Sequence, residues 1–197
     1  SIIGILYASL TTLQQVDLKK IIAYSSVGHM GLVTIGIFSE TTQGVSGAVA
    51  LMIAHGITSG ALFILIGLLY DRCYTRIIKY YSGLMHIMPL YSSLFIVFSM
   101  SNLGIPLSSN FIGEFLIFIG CFANNTWTAL FAGSGVVFSA AYSLWVCNRI
   151  LFGNLKYASI MFFCDINKRE FYMLIPFVLL TIVLGMYPEP IFVILKT

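Results

Sequence analysis

Leu103-Gly104-Ile105-Pro106-Leu107-Ser108-Ser109-Asn110-Phe111-Ile112-Gly113-Glu114-Phe115-Leu116-Ile117-Phe118-Ile119 decides how this chain folds. Its first half carries Gly, Pro and a polar run, and its second half is apolar apart from one carboxyl, Glu114. The region about 88–122 that contains it is too long for one simple crossing of a bilayer core, which takes ~20 residues. It is either two full crossings with a tight turn or one crossing by a broken helix.

The rest of the chain is membrane protein throughout. Hydrophobic residues make up 59% of the 197 and charged residues 9%, and the mean hydropathy is +0.97; a soluble domain carries roughly a quarter charged residues. The expected class is therefore all-α and polytopic, one membrane domain over 1–197. Six crossings are read, at about 1–16, 20–38, 45–70, 88–122 (broken), 127–151 and 171–188, each near the ~20 residues required. The segment 153–170 is the longest polar connection. The net charge of +3 points to no nucleic-acid partner. Cys73, Cys121, Cys147 and Cys164 form no CxxC pair and no metal-ligand spacing with the histidines, and read as scattered apolar thiols. The chain begins at Ser1 without a signal-peptide n-region, so it is expected to be processed or a piece of something longer.

Basic residues choose between the two topologies. Lys19 and Lys20 follow the first crossing, Arg72, Arg76 and Lys79 the third, and Arg149, Lys156, Lys168 and Arg169 the fifth; Lys196 lies near the C-terminal end. One broken crossing at 88–122 puts nine of these ten residues on one face, and two crossings split them six to four. The positive-inside rule favours the broken crossing. Pro106 lacks an N–H and disfavours helix at Ile105, freeing carbonyls around residues 102–105. Irregular backbone at that depth is tolerated only against protein or a water-filled cavity.

Glu114 is the one charge within an apolar run, the other sixteen lying in polar connections or at the ends of such runs. Such a group costs at least about 3 kcal/mol at the bilayer centre and generally serves an ion or proton path. His29 and His55 also lie within crossings, and all three fall about 12–16 Å from one membrane face at 1.5 Å per residue. Ser25 stands four residues before His29, Thr58 and Ser59 three and four after His55, and Asn110 four before Glu114, spacings that share a helix face. The pattern predicts a lateral row of protonatable groups rather than one vertical pore. The blander readings are a His that bonds a neighbouring carbonyl and a Glu held neutral as a hydrogen-bonder. Haem ligation usually needs a second His pair. Gly28, Gly31, Gly56 and Gly60 read as close-packing positions, and His86 has no assigned role. Away from their ends the six crossings also carry no cation to modulate Glu114, and their polar stripes are expected to find nowhere to bury within the chain.

Asp17-Leu18-Lys19-Lys20-Ile21-Ile22-Ala23-Tyr24-Ser25-Ser26-Val27-Gly28-His29-Met30 resembles the subunit 4 family of respiratory NADH–ubiquinone oxidoreductase, complex I. So do Met52-Ile53-Ala54-His55-Gly56 with Leu62-Phe63, Asn110-Phe111-Ile112-Gly113-Glu114-Phe115 and Ala141-Tyr142-Ser143-Leu144. Order and spacing match over nearly the whole chain. The sister subunits 2 and 5 and the related antiporters usually carry Lys where Glu114 stands. The resemblance implies the ninth to fourteenth helices of a fourteen-helix, antiporter-like fold built of inverted repeats. It makes Glu114 the twelfth-helix carboxylate, at the outlet of the proton path or its link to the next subunit, and His29 and His55 members of the central polar axis. Lys19 becomes a connecting-loop residue. No redox cofactor is implied here: NAD, FMN, iron–sulfur clusters and ubiquinone belong to other subunits of the complex. The implied partners are the chain or segment carrying the first eight helices with their glutamate and two lysines, subunits 2 and 5, and lipid. The implied location is the mitochondrial inner membrane, which the abundance of Phe, Tyr and Ile also suits. A subunit of a cation/proton antiporter or membrane-bound hydrogenase is the alternative, and a structural remnant of the membrane arm a third.

Overall fold

The computed structural model describes residues 1–154 and 164–196. Among them the chain is helical, its sole β-type pairing being an isolated bridge between Asp17 and Ile77. The helices are α1 (Ile2–Gln14), α2 (Leu18–Ile37), α3 (Thr42–Cys73), α4 (Leu84–Ile87), α5 (Pro89–Asn102), α6 (Ser109–Asn124), α7 (Thr126–Leu151), α8 (Lys168–Met186) and α9 (Glu189–Lys196). Four of them, α2, α3, α7 and α8, are long and apolar enough to cross a membrane. Of the long polar connection read at 153–170, residues 155–163, with Lys156, lie outside the described residues.

Local chemistry sets the helix ends. Asp17 caps α2 by accepting from the Lys19 N–H at 3.0 Å, and Thr41 caps α3 by accepting from the Gly44 N–H at 3.1 Å; each satisfies a donor that the first helical turn leaves free. Pro89 opens α5, where a missing N–H costs nothing. The next two amides, Leu90 and Tyr91, donate to the Asp165 carboxylate at 2.8 and 3.1 Å.

The region 88–122 is two helices that follow α3 from one end to the other. The start of α5 is tied to Asp165, whose carbonyl accepts from Arg72 near the end of α3 at 3.3 Å. Further on, Tyr91, Phe95 and Phe98 pack with Leu69, Leu65 and Ala61 of α3. Past the interruption at 103–108, Asn110 meets Thr58 and Gly113 meets Leu51. Gly120 meets Gly44, where α3 begins. The interruption is built from positive backbone angles at Gly104 (φ 77°) and Leu107 (φ 80°). Pro106 itself is exposed.

The α3–α6 seam is a line of glycines. An added Cβ on Gly113 would stand 2.7 Å from the Leu51 backbone, and one on Gly47 2.8 Å from the Ile117 nitrogen. The sequence reading named other glycines, and the structure corrects it. Gly31 does pack tightly, under Ile5, but Gly60 is merely in ordinary contact with Phe177, and Gly28 and Gly56 face open space. The small-residue rule is sound, but it does not say which face of a glycine-rich helix meets its neighbour.

Burial divides into two apolar clusters. One gathers Leu18, Ile22, Leu65, Leu69, Tyr91 and Ile150 at the end of the bundle that carries Arg72 and Lys19. The other gathers Ile5, Leu32, Leu51, Ile117 and Ala132 at the opposite end. Between them lies a polar layer.

Candidate functional site

Three helices build that layer. α2 places His29 a little past its middle, α3 places His55 near its middle, and α6 places Glu114 in its second turn. All three side chains are buried, at 4%, 4% and 7% residue exposure. Glu114 Oε1 lies 3.1 Å from His29 Nδ1, although the approach lacks the alignment of a hydrogen bond. The rings of His29 and His55 are 4.8 Å apart at 34°. The order is therefore His55, His29, Glu114, with His29 central. The expectation that the polar stripes find nowhere to bury is overturned, because the three helices turn them toward one another and the chain encloses them itself.

The supporting residues divide. Asn110 donates to Thr58 at 3.4 Å across the α3–α6 seam, and Thr58 donates to the His55 carbonyl at 3.3 Å. Ser25 donates to the Ile22 carbonyl at 2.8 Å and meets Tyr142 of α7. Ser59 is half-buried and takes no part in these hydrogen bonds. Pro106 lies at the break but outside the layer.

Gly104 brings Glu114 against the break. A Cβ built there would be 2.7 Å from Glu114 Oε2, so only a glycine lets the carboxyl lie on the backbone where α5 stops. The end of α5 and the start of α6 meet at this point: the Ser99, Met100 and Ser101 carbonyls accept from the Leu103, Ile105 and Gly104 amides, and α6 opens without a side-chain cap. Polar atoms without protein partners concentrate here: Ser101 Oγ, Asn102 Oδ1, Ser108 Oγ, Ser109 Oγ and Asn110 Oδ1 are all buried and unpaired. Such groups generally take up water when there is room. A cavity of about 140 Å³ lies beside the break, between Ser101, Ser108 and Thr181 of α8. α8 also covers the break, since Gly185 packs directly on the Leu107 and Ser108 backbone.

The sequence reading missed Gly104, Asn102 and Tyr142 as members of the layer. The Pro-Gly run marked the break but not the carboxyl that would lean on it. Tyr142 stood in a quoted motif with nothing in its own helix to assign it a role. Among the described residues no group of three or more His, Cys, Asp or Glu side chains is placed to hold a metal ion.

Residues 1–139 match the family model described as "NADH:quinone oxidoreductase/Mrp antiporter, TM". The chain belongs to this membrane-protein family. It is 55% identical to NADH-ubiquinone oxidoreductase chain 4 of Chondrus crispus over 96% of its own length and 38% of that protein. It is 50% identical to NADH-quinone oxidoreductase subunit M of Rhodobacter capsulatus over 96% of itself and 37% of the relative. Among solved structures, a chain of respiratory complex I from Thermus thermophilus superposes with a TM-score of 0.90 at 30% identity, covering 95% of this chain and 39% of that one. A chain of the Mrp complex from Dietzia shares the fold, with a TM-score of 0.84 at 18% identity over 94% of this chain and 43% of the other. The chain thus spans somewhat over a third of the relatives it matches.

Proposed function

We propose that this chain supplies the ninth to fourteenth helices of subunit 4 of a proton-pumping NADH:ubiquinone oxidoreductase. It would contribute part of a proton path and no redox chemistry of its own, NAD, FMN, iron–sulfur clusters and ubiquinone being held elsewhere in the complex. The observation that carries this reading is the buried Glu114–His29 pair at 3.1 Å, set on a helix break. Identity of 50–55% to chain 4 and subunit M proteins supports it.

The chemistry follows from the contact. A proton on His29 beside a carboxylate and a proton on Glu114 beside a neutral imidazole are two placements of one proton, and burial makes the balance sensitive to any charge brought near. An added cation at the end of the row favours the carboxylate and pushes the proton toward the histidines, and its removal draws the proton back. His55 extends the row on α3. Asn110 and Thr58 hold α6 against α3 at that level, and Ser25 faces the row from α2. Energy arrives from the remaining subunits. The partners in this reading are the segment or chain carrying the first eight helices, subunits 2 and 5, and lipid of the mitochondrial inner membrane. The antiporter or hydrogenase reading shares the fold, and no residue here favours it.

The reading implies six crossings, with α5 and α6 together counting as one. Cysteine labelling checks this: Lys79→Cys and Arg169→Cys react from one side of sealed vesicles and Gln43→Cys from the other. Labelling of residues 79 and 169 from opposite sides would mean two crossings at 88–122. The functional test is Glu114→Gln in the reconstituted complex. The amide keeps the shape and cannot ionise, so assembly is retained and pumping falls sharply, while Glu114→Asp keeps part of it. Full pumping by the Gln variant overturns the reading.

A further inference from the structure

Ser25 and Tyr142 stand between two small cavities. The first, about 20 Å³, lies on the His29 side and is also lined by Ser9 and Ser139. The second, about 30 Å³, is lined on its far side by Asn102, Ser99 and Cys147. A cavity of about 10–15 Å³ on this measure holds one water, so each has room for a single molecule. Both linings are mainly apolar, but each holds buried polar groups that a water would pair. Asn102 is 5% exposed, and its Oδ1 has no protein partner. Neither ring nitrogen of His29 makes an aligned hydrogen bond. At the floor of the second cavity, the Cys147 thiol donates to Ser99 Oγ at 3.0 Å.

Polar groups continue beyond that floor. Tyr91 is fully buried with an unpartnered hydroxyl, in electrostatic range of Cys147 on one side and of Tyr81, Cys73 and Arg72 on the other. The Tyr81 hydroxyl donates in turn to the Thr75 carbonyl at 2.5 Å, in the connection that carries Arg76 and Lys79. Phe95 interrupts the series, as it lines the second cavity and stacks on Tyr91 at 6.0 Å and 20°.

We propose that these groups form a second proton branch, from His29 through water in the two cavities and past Ser25 and Tyr142, then by Tyr91 and Tyr81 to the arginine- and lysine-bearing end of the helices. It rests on the proposed proton row and adds to it a route within this chain toward the basic end. Each hydroxyl or water in the series accepts one proton and releases its own to the next, so one proton moves and no relay group stays charged. His29, at the junction, is where the charge waits. The Phe95–Tyr91 stack is the gate, because Phe95 lines the second cavity and stacks on the ring whose hydroxyl continues the series.

The test uses the assembled membrane complex. Tyr142→Phe and Tyr91→Phe keep the rings and remove the hydroxyls. Assembly on native gels stays at the parent level, NADH-driven proton uptake slows several-fold, and the solvent deuterium isotope effect on that rate changes. Uncoupler does not restore the rate. A cryo-EM map that resolves other buried waters shows density in both cavities, whether or not either variant assembles. Dry cavities in such a map, or parent rates and isotope effects in both variants, overturn the branch. If Glu114→Gln stops pumping while Tyr142→Phe and Tyr91→Phe do nothing, the branch alone fails. If Glu114→Gln also pumps normally, the underlying proton row fails first.

Discussion

α3 and the α5–α6 pair run side by side over the same span, yet one is a single helix of 32 residues and the other is two helices of 14 and 16. The unbroken helix pairs its backbone groups within itself and contributes only side chains to the polar layer. The broken one opens its own ladder at the level of that layer, and there Glu114 and five unpaired polar atoms collect. The continuous helix gives the register and the interrupted one gives the chemistry. The glycine seam keeps them in step: Gly47 of α3 faces Gly113 and Ile117 of α6, and Gly44 faces Gly120.

The comparison breaks hardest at the seam. Gly113→Val places its Cβ 2.7 Å from Leu51 backbone atoms, which cannot turn aside as a side chain can. The cost is expected at or above the top of the about 1–3 kcal/mol usual for overpacking, seen as loss of assembled complex on native gels. Parent-level assembly would mean that α6 is free to slide on α3.

A smaller effect is expected at the break. Gly104→Ala puts a Cβ on a residue at φ 77°, a backbone cost of about 1–2 kcal/mol. The new methyl also stands 2.7 Å from Glu114 Oε2, so the carboxyl is displaced from His29. Assembly is retained at reduced thermal stability while pumping falls toward the Glu114→Gln level. Unchanged pumping would show that the carboxyl does not work from this position.

The smallest effect sits at the foot of the pair. Arg72 donates to Glu170 at 2.6 Å. Partial burial raises the Glu170 pKa, but the hydrogen bond from Arg72, the Asn167 N–H and the positive charge of Arg72 together outweigh it and hold the carboxyl below its usual range. A carboxyl whose folded pKa is depressed stabilises above the unfolded value, about 4.3, and that contribution is lost as pH falls through the folded pKa. Glu170→Gln is therefore expected to lower stability by about 1 kcal/mol or less at pH 7. The difference should vanish on acidification below pH ~4. A gap that stays constant down to the most acidic pH would point to packing rather than charge.

The sequence disclosed the all-helical class and the place of the break at 103–108, because Gly, Pro and a polar run stand out in an apolar chain, but not the short helices α4 and α9. It also disclosed that Glu114, His29 and His55 share a depth, since residue counts convert to ångströms along a helix. It could not rank them laterally. That His29 stands between the other two depends on the rotation of three helices, which the α3–α6 glycine seam and the packing of Gly36 of α2 on Gly44 and Ile117 decide. Pro106 drew attention as the helix breaker and proves exposed, while Gly104 does the closer work by letting the carboxyl rest on the backbone. A glycine's role in a close approach depends on its neighbour, and the neighbour is not written beside it in the chain.

α8 lies over the break, with Gly185 on the backbone of Leu107 and Ser108, and this orders events during synthesis. The interrupted helix leaves the ribosome roughly eighty residues before its cover does, a delay of some seconds at about 5–20 residues per second. Until then the irregular backbone of residues 103–108 lacks the cover of α8, and irregular backbone at that depth is tolerated only against protein or a water-filled cavity. The insertion machinery must shelter this segment until the later helix arrives. A chain that stops short of α8 therefore loses more than one helix, because the segment it leaves behind has no stable home in the bilayer.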